Sequence, residues 1–108
     1  MRQDFVMSNS GKIIMRNGLK IQWGAKNKGS NLSAETGWNN VSVNSADGFL
    51  SYTSASSYKI FLTNKTTNAG TELAVSEQTA TGFKFYLYNR NSSITMANPT
   101  VQWFAIGY

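Results

Sequence analysis

The stretch Leu19-Lys20-Ile21-Gln22-Trp23 alternates apolar and polar residues without a break, the two-residue period of a β-strand. Leu19, Ile21 and Trp23 share one face, read as the core face, and Lys20 and Gln22 share the other. Phe83 to Tyr88 repeats the pattern, with Phe83, Phe85 and Leu87 inward and Lys84, Tyr86 and Tyr88 outward. Shorter apolar runs at Lys12–Arg16, Val41–Val43, Phe49–Thr53, Tyr58–Thr63 and Glu72–Ser76 predict further strands, and Val101–Ile106 a last one. Polar and Gly-bearing stretches separate them. Asn17-Gly18 predicts a type I′ hairpin turn, in which both central residues take positive φ. Residues 24–40 read as a long loop or a pair of loops, Asn64–Thr71 and Thr81-Gly82 as turns, and Asn89–Ser93 as a loop. Nothing reads as a helix of useful length. The pattern predicts an all-β chain, a small antiparallel β-sandwich.

The terminal strand changes that picture. Val101, Trp103 and Ala105 point one way and Gln102, Phe104 and Ile106 the other, so both faces are largely apolar. A strand apolar on both faces is covered on both. One cover is the domain's own core; the other is either a partner subunit or a long loop of the same chain. Trp23, Trp103, Phe104, Ile106 and Tyr108 are the candidates for core and subunit interface. Trp23 and Trp103 are expected in the core, and Ile106 and Tyr108 are expected buried.

Composition limits the chemistry. At 108 residues the chain is one domain in size. It has no cysteine and no histidine, which removes disulfides, thiolates, the commonest metal ligand and the commonest general base. Neither a cofactor nor a metal site is expected. The net charge of +5 lies wholly within the first 28 residues, where Arg2, Lys12, Arg16, Lys20, Lys26 and Lys28 face Asp4 alone. Such a segment is either a solvated face or a patch for an anionic partner. The N-terminus lacks the apolar core of a signal peptide, and no run suits a membrane span, so no membrane insertion is expected.

Three segments, in order, carry a family likeness: NGLKIQWG (Asn17–Gly24), ATGFKFYL (Ala80–Leu87) and QWFAIGY (Gln102–Tyr108). Together they resemble the C-terminal tip domain of phage tail-fibre proteins, with its NGxxxQWG opening and WxAIGY-type ending. The chain departs from the family pattern between about residues 25 and 55, where it is Ser- and Asn-rich. The resemblance implies a trimeric β-sandwich at residues 17–108, preceded by an N-terminal segment at 1–16 leading from a fibre shaft. It also implies a place on the virion, at the tip of the fibre, after synthesis in the host cytoplasm, and a role in touching the host surface.

A receptor-binding module for a bacterial surface glycan needs aromatic faces for sugar C–H groups and polar groups for hydroxyls. The chain has three Trp, five Tyr and six Phe, more than one small core needs. Trp38 with Asn39 and Asn40 is one candidate contact cluster; Tyr86 and Tyr88 leading into Asn89 and Arg90 is the other. Trp38 as a plug in one end of the sandwich, and Tyr86 and Tyr88 as a subunit interface, are the structural alternatives. A purely structural trimerising cap is the second functional reading. Nucleic-acid binding is the third, weakened because the basic residues lie far in sequence from the aromatic clusters. An enzyme is not expected. Glu72 and Glu77 are the only close acidic pair, and on a regular strand they would face opposite sides.

Overall fold

The computed structural model describes residues 10–65 and 70–108. Residues 1–9 of the expected lead-in, and residues 66–69 of the expected Asn64–Thr71 turn, lie outside the described residues. The described residues form seven strands: β1 (Gly11–Ile14), β2 (Lys20–Asn27), β3 (Gly37–Val43), β4 (Tyr58–Asn64), β5 (Thr71–Thr79), β6 (Gly82–Asn89) and β7 (Thr100–Gly107). They form a four-stranded sheet, β1-β2-β7-β4, and a three-stranded sheet, β3-β6-β5, antiparallel throughout. The four-stranded sheet begins at Gly11, so it includes residues ahead of Asn17.

The sheets pack face to face. Val101, Trp103 and Ala105 of β7 meet Phe83, Phe85 and Leu87 of β6 and Val41 and Val43 of β3 in one buried cluster. The Trp103 ring lies edge-on to Phe83, with centroids 5.9 Å apart, and 5.6 Å from Phe49. Phe83, Phe85 and Leu87 point inward, as their alternation predicts. β2 reverses expectation. Its core face carries Gln22 and Gly24, and Ile21 and Trp23 are on the outside. The reason is space and polarity. A Cβ on Gly24 would stand 2.6 Å from the Trp103 ring, so only glycine lets that indole lie over the strand. Gln22 donates Nε2–H to Leu50 O at 2.9 Å and accepts from Leu50 N–H at 2.8 Å, which satisfies both ends of a buried amide.

The Phe49–Thr53 run is not a strand. Phe49 and Tyr52 are core residues carried on an irregular segment after a single 3-10 turn at Ser45–Asp47. That segment lies along the inner side of β1 and β2, where Lys12 Nζ donates to Gly48 O, Lys20 Nζ to Ser51 O, and Lys26 Nζ pairs with Asp47 at 2.6 Å. Three of the basic residues that suggested an anion-binding patch therefore hold a loop to the sheet. The hairpin at Asn17-Gly18 also differs from expectation. Only Gly18 has positive φ, at 91°, Gly18 N–H bonds to Met15 O, and Met15 N–H to Leu19 O. This is a three-residue turn with the left-handed residue last rather than type I′. The expected 24–40 loop is shorter, because β2 runs to Asn27 and β3 starts at Gly37.

Candidate functional site

The two outer faces of the sandwich carry opposite chemistry. On the four-stranded sheet, register places Ile13 beside Ile21, Ile21 beside Ile106, and Phe104 between Trp23 and Phe61. The Phe61 and Phe104 rings are 6.1 Å apart, and Phe61 is 58% exposed. Trp23 is therefore part of an outer apolar face rather than the core, while Trp103 is core. Phe104 and Ile106 are half-buried on that same outer face. No loop of the described residues covers Phe61. Tyr108, expected buried, is 51% exposed; the strand it ends is fixed by backbone bonds from Tyr108 N to Ser57 O and from Thr53 N to Tyr108 O.

The outer face of the three-stranded sheet is polar and aromatic. Tyr86 and Tyr88 project from β6, and Glu72 of β5 is directly opposite Tyr88. Glu72 binds three groups at once. Tyr86 Oη donates to Oε1 at 2.7 Å, Arg90 Nε donates to Oε2 at 3.0 Å, and Arg90 Nη2 also donates to Oε2. The Arg90 guanidinium lies over the Tyr88 ring, 4.6 Å from its centroid, and Tyr88 Oη donates to Glu35 O. These contacts hold two phenol rings and a guanidinium in one fixed arrangement. The Arg90 hydrogen bond, then that of Tyr86, lowers the Glu72 carboxyl below its ordinary value. The same bond raises the Tyr86 phenol.

The expected contact residues divide by face. Asn39 and Asn40 form a bulge, two residues set against Tyr86 alone between the Trp38–Leu87 and Val41–Phe85 pairs. Asn40 takes the left-handed conformation there, φ 55°. Both are exposed. Gly37 leaves room for its neighbours; a Cβ on it would stand 2.9 Å from Asn39 Oδ1 and 3.2 Å from the Tyr88 ring. So Asn39, Asn40, Tyr86, Tyr88 and Arg90, from two separate sequence clusters, meet on one surface. Trp38 does not join them. It is on a strand, not in a loop, and turns inward to pack edge-on against Phe85 at 5.7 Å. Asn89 is fully buried, which corrects its expected place at the surface. Its Nδ2 donates to Leu32, Ser33 and Ile94 carbonyls, and its Oδ1 accepts from Asn91 N–H, so its amide ties the loop before β3 to the loop after β6.

Sequence reasoning placed Lys84 on this face but missed Glu72, Glu77 and Ser42 as members of it. For Glu77 the cause is a second bulge. Val75 is opposite Phe85 but Glu77 is opposite Lys84, so Ser76 is the extra residue. The bulge turns Glu77 to the same side as Glu72, correcting the expectation that they face opposite sides. Tyr88 and Lys84, their direct partners, are four strand residues apart, roughly 13 Å. Paired-carboxylate glycoside hydrolysis needs about 5–9.5 Å. Glu77 is within 3.6 Å of Lys84 Nζ. Among the described residues, no group of three or more acidic side chains suits a metal ion.

No family model matches the chain, and no characterised protein matches it in sequence. Two solved structures share its fold. One is a P. aeruginosa R1 pyocin fibre comprising C-terminal residues, with TM-score 0.63 and 16% identity over 85% of this chain and 24% of that one. The other is an N-truncated R1-type pyocin tail fibre, with TM-score 0.64 and 17% identity over 85% of this chain and 73% of that one. The chain thus spans about a quarter of the first structure's length. The described residues form an all-β, two-sheet sandwich of the kind found in R1 pyocin tail fibres.

Proposed function

We propose that this chain is a tail-fibre tip domain of a phage or phage-like particle that recognises a host cell-surface glycan and acts as a homotrimer. The observation that carries the reading is the opposite chemistry of its two sheet faces. An outer face of Ile13, Ile21, Trp23, Phe61, Phe104 and Ile106 asks for an apolar cover. The face of Asn39, Asn40, Tyr86, Tyr88 and Arg90 offers ring faces and amide or guanidinium donors to a polyol. The likeness to pyocin tail fibres supports the placement on a tail fibre of a virion or virion-like particle. In this reading the trimer closes through the first face and meets the receptor with the second. The domain has no catalytic role, because the acids of the polar face are ion-paired and too widely spaced.

A trimerising cap that recognises nothing is the second reading; it uses the apolar face and leaves the polar one idle. The separating experiment is adsorption of purified domain to host cells, with Tyr88→Ala and Arg90→Ala beside the parent. Both side chains are on the surface, so the melting temperature should stay within a few degrees. Loss of stacking should weaken adsorption about tenfold. Unchanged adsorption in both variants would leave the cap as the better account.

A further inference from the structure

The polar face has a second feature, at the other end of its strands from Tyr88. Where β3 ends and the β5–β6 hairpin turns, a pocket of about 160 Å³ opens, lined by Ser42, Asn44, Glu77, Thr79, Thr81 and Lys84 among others. Ser42 is paired with Lys84, and Glu77 is opposite Lys84 on its other side, so the pocket is on the same face as Tyr86 and Tyr88. Gly82 lines it where the backbones of β6 and β3 come close together. A Cβ there would come within 2.3 Å of Val43 O, and no side chain fits. The lining is rich in hydroxyls. The Thr79 and Thr81 hydroxyls are 3.4 Å apart, and Thr79 Oγ1 donates to Gly82 O.

Charge narrows what such a pocket can take. Among the described residues of this face, Glu72 pairs with Arg90 and Glu77 with Lys84. Of the basic N-terminal segment, Lys12, Lys20 and Lys26 are bound to the 44–53 segment, along the opposite sheet. Arg90 and Lys84 are thus paired with acids and offer an anionic polymer no unpaired charge, while an uncharged polyol can use the hydroxyls and the amides of the bulge. The pocket and the Tyr88 shelf are roughly 13 Å apart along β6, more than one sugar ring spans.

We infer that this pocket is a second subsite of the recognition face, and that the two subsites together take an extended, uncharged oligosaccharide rather than a single terminal sugar or an acidic polymer. The inference rests on the recognition reading above. Each subsite alone contributes weakly. Engagement of both by one chain joins two weak contacts at high effective concentration.

The test is binding of the whole chain to an array of neutral and acidic oligosaccharides, from mono- to hexasaccharides, at low and high salt. Thr81→Lys, on the exposed hairpin, fills the mouth of the pocket; Tyr88→Ala removes the shelf. The parent should bind neutral glycans, with affinity rising about tenfold or more with length. High salt should change it little. Thr81→Lys should abolish the rise with length and leave the shorter glycans bound as by the parent. Preference for acidic glycans with steep salt dependence, or monosaccharides bound as tightly as the longest chains, would overturn the inference. If Thr81→Lys binds like the parent while Tyr88→Ala does not, the pocket is excluded and the shelf stands. If neither variant differs, or no glycan binds, the recognition reading itself fails.

Discussion

Tyr58 shows how much one side chain does in this core. Its ring stacks on Tyr52 with centroids 4.2 Å apart, and its hydroxyl donates to Thr79 O at 2.6 Å and Gly82 O at 2.9 Å. The phenol thus closes the end of the β5–β6 hairpin from the opposite sheet. Burial first, and then the neighbouring Tyr52, pushes its pKa up to about 12. The folded value is above the ordinary one, so the neutral phenol stabilises the fold below about pH 10, and that contribution is lost as pH rises through about 12. A phenolate-absorbance titration should show Tyr58 ionising late, with unfolding in the same alkaline window. Tyr58→Phe should cost roughly 0.5–1.5 kcal/mol, because it removes the hydroxyl hydrogen bond that ties β4 to the hairpin carbonyls. On the outer face the sign is opposite. Glu72 is held below its ordinary value by Arg90 and Tyr86, so its contribution is present above the ordinary glutamate range and lost as pH falls through the lowered value. A carboxyl NMR titration should place Glu72 low in the parent, and Arg90→Ala should move it up. An unmoved value would mean that the ion pair does not form in solution.

Among elements, β7 matters most, because it is central. It pairs with β2 along one edge and β4 along the other, Ala105 with Gln22 and Ile60, Ile106 with Ile21 and Lys59. Deleting residues 105–108 removes three of the eight pairs with β2, three of the seven pairs with β4 and the buried Ala105, and a small domain has only about 5–15 kcal/mol in all. The truncated chain should show no cooperative melting, whereas Tyr108→Ala, at an exposed position, should melt within a few degrees of the parent. A truncated chain melting like the parent would mean the pairing is dispensable. β7 was legible in sequence because two-sided apolarity has few explanations, and β6 because its alternation is unbroken. The bulges were not legible. A regular period of two carries every side chain to a definite face, and one extra residue, Asn40 or Ser76, reverses the rest of the strand. That is why the Glu72–Glu77 relation was misjudged. β2 failed differently. Its period was right and its face was inverted, because Gly24 beneath Trp103 and the Leu50 backbone against Gln22 decided which side was inward, and both partners are distant in sequence. Asn89 misled for a related reason, since an amide after two tyrosines looks like a surface donor until its three carbonyl partners are known.

At the scale of the molecule, the proposed assembly rests on the outer apolar face. It is centred on Phe104, flanked by Trp23 and Phe61, with Ile21 and Ile106 as the next pair along. Lys59, Thr63, Ala25 and Gln102 border it and are exposed. An apolar centre within a more polar rim is the anatomy of a protein interface. A closed threefold ring offers such a face to neighbouring copies without an open-ended chain of contacts. Phe61→Lys tests this with little risk to the fold, because Phe61 is 58% exposed and its inward neighbours, Ile60 and Leu62, are untouched. A buried aromatic at such a centre is worth about 2 kcal/mol or more per contact, and a lysine there adds an unpaired charge to each copy. The parent should run at trimer mass in light scattering at micromolar concentration, and Phe61→Lys at monomer mass with far-ultraviolet circular dichroism unchanged. Trimer mass in both would move the seam to another surface. Monomer mass in the parent would mean that this face meets something other than a copy of the chain.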